Sequence, residues 1–303
     1  MSKHNLAYLL LILTTIFWSG NFIVGKLASF HEIPPFSLNF YRWFFAGIIL
    51  LPFTFKELIR SKEYIYDNIG LFIALGITSI TIFNSVVYYS LYHTQVINGL
   101  LMISTIPVWI IFISSFLNIE RTNIFQIIGV ILSLFGVTAI ITKIDITIIK
   151  TLQFNEGDLT MIIAMFSWAI YSALLKKKVH KVSQITLLQI VIIFGLIFLI
   201  PFYFIELYNG NFIKLKKSFY FTLSYVVIFP GLLAFFFWIK GISIIGANRA
   251  GIFLHLMPII GAIMAIIILN EKFMYYHLVG SIFIIAGISL SNKKTKWKKK
   301  IKT

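Results

Sequence analysis

The sequence contains no cysteine, and this absence excludes several kinds of chemistry at once. Disulfide bonds, nucleophilic thiols and thiolate metal sites all need cysteine side chains. The six histidines are scattered, and neither an HExxH motif nor a cluster of Asp and Glu supplies a set of metal ligands. We therefore expect no metal site and no other bound cofactor.

Charged residues are also scarce. They make up 12% of the chain, whereas soluble domains average about 25%. Apolar residues account for 59%, and the mean hydropathy is +0.93, so a large part of the chain is expected to lie in lipid. The 26 Lys and Arg against 10 Asp and Glu give a net charge of +16. The lysines gather at predicted helix ends and in a terminal run, which argues against a nucleic-acid partner.

One nucleotide-binding pattern is present but lacks its context. Residues 20–26 read GNFIVGK and fit GxxxxGK, yet Leu27 follows where a phosphate loop needs Ser or Thr for magnesium. The segment also lies inside a predicted membrane helix. We therefore expect no ATP hydrolysis.

Apolar runs long enough to cross a bilayer occur ten times. We predict membrane helices at 6–27, 35–55, 69–91, 96–117, 124–142, 159–176, 184–206, 219–240, 249–269 and 274–292. The first run belongs to the internal repeat described next, so we interpret it as a retained helix and not as a cleaved signal.

The chain contains one pattern twice. A shift of 151 positions places Pro107 on Pro258, and the same shift relates Glu120 to Glu271, Gly129 to Gly280 and Gly136 to Gly287. Trp18 maps to Trp168 at a shift of 150, and Pro52 to Pro201 at 149. Five helices is an odd number, so the second half must enter the membrane with opposite polarity. The predicted fold is an all-α polytopic membrane protein with ten transmembrane helices in two five-helix inverted repeats, 1–150 and 151–292, followed by a basic cytoplasmic tail, 293–303.

The distribution of basic residues predicts the orientation. If both termini of the chain lie on the cytoplasmic side, most of the basic residues at helix ends and in loops lie there as well: Lys56, Arg60, Lys62, Lys176, Lys177, Lys178, Lys181, Lys293, Lys294, Lys296, Lys298, Lys299, Lys300 and Lys302. A smaller set would lie outside: Lys143, Lys150, Lys214, Lys216 and Lys217. We predict cytoplasmic N- and C-termini in the cytoplasmic (inner) membrane of a prokaryote. The tail either serves as a topology anchor or contacts anionic lipid of the bilayer.

Four segments carry a family resemblance. They are FWSGNF in the first helix, PPFSLNFYRWFFAGIILLPF in the second, the fourth helix with Pro107 and Glu120, and LMPIIGAIMAIIILNE in the ninth. In this order and spacing the chain resembles a ten-helix member of the drug/metabolite transporter superfamily, EamA-like branch, over essentially its whole length. The resemblance implies a transporter of amino acids, nucleosides, cofactors or other metabolites, without naming one.

Two homologous halves in an apolar chain are likewise typical of secondary transporters. We expect a monomeric permease that moves a small-molecule substrate by alternating access through a cavity lined by helices 1, 3, 4, 6, 8 and 9. A passive channel is the alternative. An intramembrane enzyme acting on lipid is disfavoured, because the mid-membrane hydroxyls have no nearby acid.

Prolines and glycines recur at matching points of the two halves. Pro107 and Pro258 each remove a backbone donor in mid-membrane, so each should kink its helix and leave a carbonyl free. Such matched breaks point to a midplane site, although a packing kink is the alternative. The repeated glycines lie seven residues apart on one helix face, which predicts close helix packing.

Polar and aromatic side chains in mid-membrane are the candidate substrate contacts. On the third helix Thr78, Thr81, Ser85, Tyr88 and Tyr92 recur at steps of 3 and 4, so they form one polar stripe. Interhelical hydrogen bonding is the alternative reading. The predicted substrate-binding residues are Trp18, Asn21, Thr81, Asn84, Ser85, Tyr88, Trp168, Tyr171, Trp238 and His255, with Arg42, Pro107 and Pro258 as gating or structural residues.

The ionisable candidates were interpreted separately. Arg42 lies roughly 9 Å below the outer interface at 1.5 Å per residue, where it either clamps a carboxylate or snorkels outward. We favour a structural or gating role. His255 is the candidate for proton coupling, with a neutral hydrogen-bonded core histidine as the alternative. Glu120 and Glu271 were assigned to loop ion pairs with their neighbours Arg121 and Lys272.

Overall fold

The computed structural model describes residues 2–145, 147, 155–176, 181–269 and 272–293. Over these residues all regular secondary structure is helical. The long helices are α1 (Lys3–Phe30), α2 (Pro35–Arg60), α3 (Ile69–His93), α4 (Val96–Ile103 and Ile106–Phe116), α5 (Ile124–Thr142), α6 (Glu156–Leu174), α7 (Gln184–Tyr208), α8 (Lys217–Ile245), α9 (Ala247–Gly251, Ile252–His255 and Leu256–Leu269) and α10 (Tyr275–Ser291). Lys177, Lys178, Glu271 and the tail 294–303 lie outside the described residues.

These helices have the length and surface of membrane spans. Within the described part of the chain nine of them, α1 to α9, are long and apolar enough to cross a bilayer, and α10 is a shorter apolar helix of 17 residues. Large apolar side chains point outward along them, among them Phe44, Phe112, Phe135 and Ile285. Such a surface is stable only in lipid. The predicted ten-helix membrane fold is confirmed.

The helix ends differ most from the prediction at α2, which was predicted to end at residue 55 and continues to Arg60, and at α8. We predicted an end of α8 at residue 240, whereas the helix continues to Ile245. Gly246 follows with φ of 88°, a left-handed conformation that glycine adopts without strain, and this residue ends the helix. Lys240 therefore lies inside α8, where its ammonium donates to Gln184 Oε1 at 3.3 Å.

A π-helical segment interrupts the third helix of each half. One spans Ile77–Asn84 in α3 and the other Val227–Leu233 in α8, so their first residues are related by the repeat shift of 150. Pro230 lies within the second and lacks the N–H of a regular ladder. Wide turns of this kind are frequent at functional sites, and they change the register of side chains along a helix. Here the segment of α3 packs on α6, and the segment of α8 packs on α1 and α2.

The two halves pack about a pseudo-twofold axis. Helix α1 packs on α8 as α6 packs on α3, and α2 faces α7 while α5 faces its repeat counterpart α10. The α5–α10 contact is built from the repeated glycines. A Cβ placed on Gly129 would lie 2.6 Å from the carbonyl oxygen of Gly287, and one on Gly136 would lie 2.5 Å from that of Gly280. The predicted close glycine packing is therefore confirmed.

Carboxylates from one half cap helix N-termini in the other half. Glu206 accepts hydrogen bonds from the backbone N–H groups of Phe36 and Ser37 at the start of α2, at 3.1 and 2.6 Å. Its repeat counterpart, 149 positions earlier, is Glu57, which accepts from the N–H and hydroxyl of Ser183 at the start of α7. Acceptors at these points satisfy the unpaired donors of a helix N-terminus. The pairing holds α2 and α7 together from both ends.

Candidate functional site

An aromatic cluster lies at the centre, where the halves meet. Trp18 of α1 and Trp168 of α6 are repeat counterparts, and their rings contact edge-on with centroids 5.0 Å apart and planes at 89°. Trp238 lies 5.3 Å from the first and 5.8 Å from the second. Phe83 of α3 lies 4.4 Å from Trp168. The tryptophans predicted from the repeat are thus brought together on the pseudo-twofold axis.

A cavity of about 20 Å³ adjoins this cluster. It lies among α1, α2, α3, α4, α6 and α9 and is lined by Trp18, Asn21, Phe22, Arg42, Phe83, Asn84, Val87, Ile103, Ile106, Trp168, Leu254 and Met257. This volume holds about one water molecule, whereas small-molecule pockets measure about 300–1,000 Å³. The central cavity is therefore too small for a metabolite in this arrangement of the helices. A wider vestibule of about 480 Å³, lined by residues such as Phe36, Tyr92 and Glu206, lies where α1 and α3 end and α2 begins.

The helices around the cavity differ from the expected set in one member. Helix α2 contributes Arg42, where the sequence favoured α8. The reason is packing: Phe235 and Trp238 of α8 contact Trp168 and Trp18, so α8 supports the aromatic wall from behind. Their side chains are fully buried.

Arg42 is the polar centre of the cavity. Its guanidinium Nη1 donates to Asn84 Oδ1 at 2.9 Å and to the Tyr88 hydroxyl at 2.7 Å. Tyr88 in turn donates to Asn21 Oδ1 at 2.9 Å. The guanidinium also lies 4.9 Å from the ring of Trp43. The side chain has no exposed surface, so the snorkelling alternative is wrong.

Other predicted contacts form hydrogen bonds between helices and do not line the cavity. Thr81 donates to the carbonyl oxygen of Gly195 in α7, and Ser85 accepts from Asn39 of α2. The π-segment within α3 distributes the polar stripe over several neighbours, so Asn84 lines the cavity while Thr81 and Ser85 do not. Tyr171 packs on Trp168 with centroids 4.9 Å apart and lies behind it.

Both proline-marked breaks occur. Helix α4 is interrupted before Pro107, and a 3₁₀ segment, Ile252–His255, precedes Pro258 in α9. The break in α4 frees the carbonyl of Ser104, which accepts a hydrogen bond from His255 Nε2 at 2.8 Å. Ser104 is the repeat counterpart of His255, 151 positions earlier.

The second ring nitrogen of His255, Nδ1, pairs with the hydroxyl of Ser133 in α5. The neutral tautomer with Nε2–H satisfies both contacts. His255 is fully buried and does not line the cavity. These contacts fit a neutral, hydrogen-bonded core histidine, the alternative to proton coupling.

Two carboxylates near the membrane surfaces have roles that the sequence did not predict: Glu120, which the sequence assigned to a loop ion pair, is half-buried, and Asp158 is fully buried. Glu120 accepts from the backbone N–H of Ala247 at 2.9 Å and of Asn248 at 3.4 Å, at the start of α9. Burial raises the pKa of this carboxyl, partly offset by those hydrogen bonds. Asp158, at the start of α6, accepts from Thr94 Oγ1 at 2.5 Å and from Asn98 Nδ2 at 3.1 Å. The repeat shift pairs Glu57 with Glu206 and Glu120 with Glu271, but it gives Asp158 no acidic counterpart.

Comparisons with known proteins agree with this architecture. The model of the EamA-like transporter family matches twice, over residues 5–142 and 155–293. An uncharacterized transporter of Archaeoglobus fulgidus is 30% identical over 95% of this chain and 97% of its own length. The transporter YyaM of Bacillus subtilis, also uncharacterized, is 24% identical over 94% of this chain and 93% of its own.

A relative with a named substrate and a solved structure are also similar. The S-adenosylmethionine uptake transporter of Rickettsia felis is 25% identical over 86% of this chain and 83% of its own length. A crystal structure is also similar, with a TM-score of 0.72 and 15% identity. The match covers 94% of this chain and 95% of the chain in that structure, which shows the shared fold. Both halves of the chain match the family model and the relatives extend over nearly its whole length, so this chain is a multi-pass membrane protein of the EamA-like transporter family.

Proposed function

We propose that this protein is a secondary transporter that moves a small organic metabolite across the cytoplasmic membrane of a prokaryote by alternating access. The observation that supports it is the central cavity between two inverted halves, with Trp18 and Trp168 on the axis. Inverted repeats that rock about a central site can expose it to either side in turn. The cavity must widen from about 20 Å³ to hold a metabolite, as an opening of the halves would allow.

The lining selects the kind of substrate. Flat aromatic walls from Trp18, Phe83 and Trp168 suit apolar or planar parts of a molecule, while Asn21, Asn84 and Arg42 offer hydrogen bonds. An amino acid or a cofactor has both features. S-adenosylmethionine is a compound to test early, because the Rickettsia felis relative is named as its uptake transporter.

Counterflow in proteoliposomes tests the function. Vesicles preloaded with amino acids, nucleosides or S-adenosylmethionine should take up the same labelled compound transiently above equilibrium if the protein is a carrier. Ion or solute flux without counterflow would identify a passive channel instead. Hydrolysis or transfer of a lipid group with no flux would identify an enzyme.

Variants of the aromatic wall connect this activity to the cavity. Replacing Trp18 or Trp168 with Ala should reduce transport more than it reduces folded yield. Trp109→Ala is the matched control, because Trp109 packs on Phe112 and Phe166 outside the cavity lining. Equal losses of yield and transport in all three variants would assign the tryptophans to the core alone.

Labelling tests the orientation. Since the chain has no native cysteine, single cysteines at Glu63, in the short helix Lys62–Asp67, and at Asn211 report on exposed connections at corresponding places in the two halves. The inverted arrangement with cytoplasmic termini predicts that an impermeant maleimide reaches Asn211→Cys from outside and Glu63→Cys only after lysis. Labelling of both from one side would contradict it.

A further inference from the structure

Arg42 lies deep in the bundle without an opposite charge. Its side chain has no exposed surface, although it belongs to a membrane-spanning helix. Among the residues that the structure describes, its hydrogen-bond partners are an amide and a phenol, Asn84 and Tyr88. Burying an ionised group is costly unless another charge compensates for it. A permanently charged guanidinium kept at such a cost points to a ligand that carries the missing negative charge.

The hydrogen bonds of Arg42 leave one edge of its guanidinium without a partner among the described residues. Nη1 makes both contacts, with Asn84 and Tyr88, whereas Nε and Nη2 have no partner among the described residues. These two nitrogens form one edge of the planar group, and their N–H bonds point in the same direction. This geometry matches the two oxygens of a carboxylate in a bidentate pair.

The surroundings hold this edge in place and enclose it. Asn21, Tyr88 and Asn84 fix the guanidinium through a chain of hydrogen bonds of 2.7–2.9 Å. Gly231 in the π-segment of α8 approaches Nε, and a Cβ added there would lie 3.5 Å from that nitrogen. A side chain at position 231 would therefore lie in contact with Nε on the unpartnered edge.

A second residue of the cavity lining also has a hydrogen-bond donor without a partner. The indole Nε1 of Trp168 is buried without a partner in the described part of the chain, whereas Nε1 of Trp18 donates to the carbonyl oxygen of Pro230 at 3.2 Å. Arg42 and Trp168 both line the cavity, and their unpartnered atoms are all donors. A ligand that satisfies them must present acceptor atoms.

We propose that the Nε–Nη2 edge of Arg42 binds a carboxylate of the transported molecule, with Trp168 Nε1 as a further donor. This proposal rests on the proposed transport function and names its substrate class as carboxylic acids, amino acids included. A monoanionic carboxylate matches the single positive charge. A phosphate dianion would bring a second charge, and no other cationic side chain lines the cavity among the described residues.

Acid and carboxamide pairs provide the test. Each acid in the transport screen is compared with its carboxamide, which keeps the shape and loses the charge. Binding is measured as the rise in melting temperature of the detergent-solubilised protein, and transport is measured by counterflow. We expect the acids to bind at least about 30-fold more tightly than their carboxamides, as for loss of one member of a buried charge pair.

Variants of Arg42 locate the effect. Arg42→Gln should remove the preference for acids, and Arg42→Lys should weaken it, because an ammonium cannot form the two-nitrogen contact. Arg60→Gln is the matched control, since Arg60 is an exposed arginine at the end of the same helix, and it should behave as wild type. If the Arg42 variants do not fold, the acid and carboxamide comparison in the wild type decides alone.

The outcomes separate the two proposals. Equal binding of acids and carboxamides, a preference for phosphorylated compounds, no acid binding at all, or a preference that survives Arg42→Gln would each overturn the carboxylate site. Acid binding that depends on Arg42 without counterflow would leave the site standing and remove the transport function. Counterflow that is equal for acids and carboxamides would support the transport function and remove the carboxylate site.

Discussion

Gly136→Ala should separate α5 from α10 and destabilise the protein. The added methyl group would lie 2.5 Å from the carbonyl oxygen of Gly280 and 2.9 Å from the backbone nitrogen of Ile284. Ordinary contact begins near 3.4 Å, so the two backbones must move apart by close to 1 Å. Backbone atoms cannot rotate away as the end of a flexible side chain can. The neighbouring contact between Gly129 and Gly287, equally close, would then open as well.

The size of the effect follows from the geometry. Overpacking of this kind costs about 1–3 kcal/mol, and a gap of about 0.5–1 Å forfeits a quarter to a half of each dispersion contact along the helix pair. The intrinsic preference of helices for Ala over Gly works in the opposite direction by about 0.5–1 kcal/mol. We therefore expect a net loss of about 1–2 kcal/mol in the free energy of unfolding, since the steric term is the larger.

Gly70→Ala is the matched control, because Gly70 is also helical and a Cβ there meets nothing within 4 Å. It should leave stability unchanged or raise it. The free energy of unfolding of both variants is measured in detergent by denaturant titration, with tryptophan fluorescence as the signal. If Gly136→Ala is as stable as Gly70→Ala, the argument that backbone contact holds α5 to α10 is wrong.

Three further predictions concern the ionisable groups. Glu206→Gln should lower the free energy of unfolding by about 1.5–3 kcal/mol, because charge-assisted hydrogen bonds to the start of α2 are lost. Glu57→Gln should lower it less, since Glu57 is more exposed. Glu63→Gln, at an exposed position, is the control, and equal effects for all three variants would contradict the capping role. Burial raises the pKa of Glu120 above its usual 4.5, so the folded state binds this proton more tightly than the unfolded state. The stability of the wild type relative to Glu120→Gln should therefore fall as pH rises from 4.5 to the raised pKa. A difference in melting temperature between the two proteins that stays flat or rises over that range refutes the shift. An imposed pH gradient alone should not drive accumulation of substrate in vesicles, because both ring nitrogens of His255 form hydrogen bonds within the helix bundle. Gradient-driven uptake that His255→Gln abolishes would show proton coupling through this residue.

The pattern of the sequence was sufficient for the membrane fold and for the axis of the site. Apolar runs marked the ten helices, because a bilayer requires about 20 apolar residues for each span. The fixed shift between the halves paired Trp18 with Trp168 and the glycines of α5 with those of α10, and these pairs meet in the structure. Counterparts near the axis of an inverted repeat are brought together by symmetry. A register read from the sequence therefore predicts some tertiary contacts.

The polar stripe of α3 shows where periodicity alone fails. A regular helix would place Thr81, Ser85 and Tyr88 on one face, but the π-segment Ile77–Asn84 changes the register in their midst. Residue identities alone did not reveal that segment. As a result Asn84 lines the cavity, while Thr81 and Ser85 bind neighbouring helices. Whether these residues touch substrate stays a prediction.

The sequence by itself determined the ten apolar helices, their division into two matched halves, and the rarity of charge inside the membrane, because the bilayer imposes these features locally on every span. Only the tertiary structure decided which polar groups have partners. Glu57, Glu120 and Glu206 cap distant helices, and His255 binds its own repeat counterpart, Ser104. Arg42 is the one ionisable residue in the cavity lining that the structure describes, and its Nε and Nη2 have no partner among the described residues. Such pairings join residues more than 100 positions apart, so only the packing of the helices fixes them.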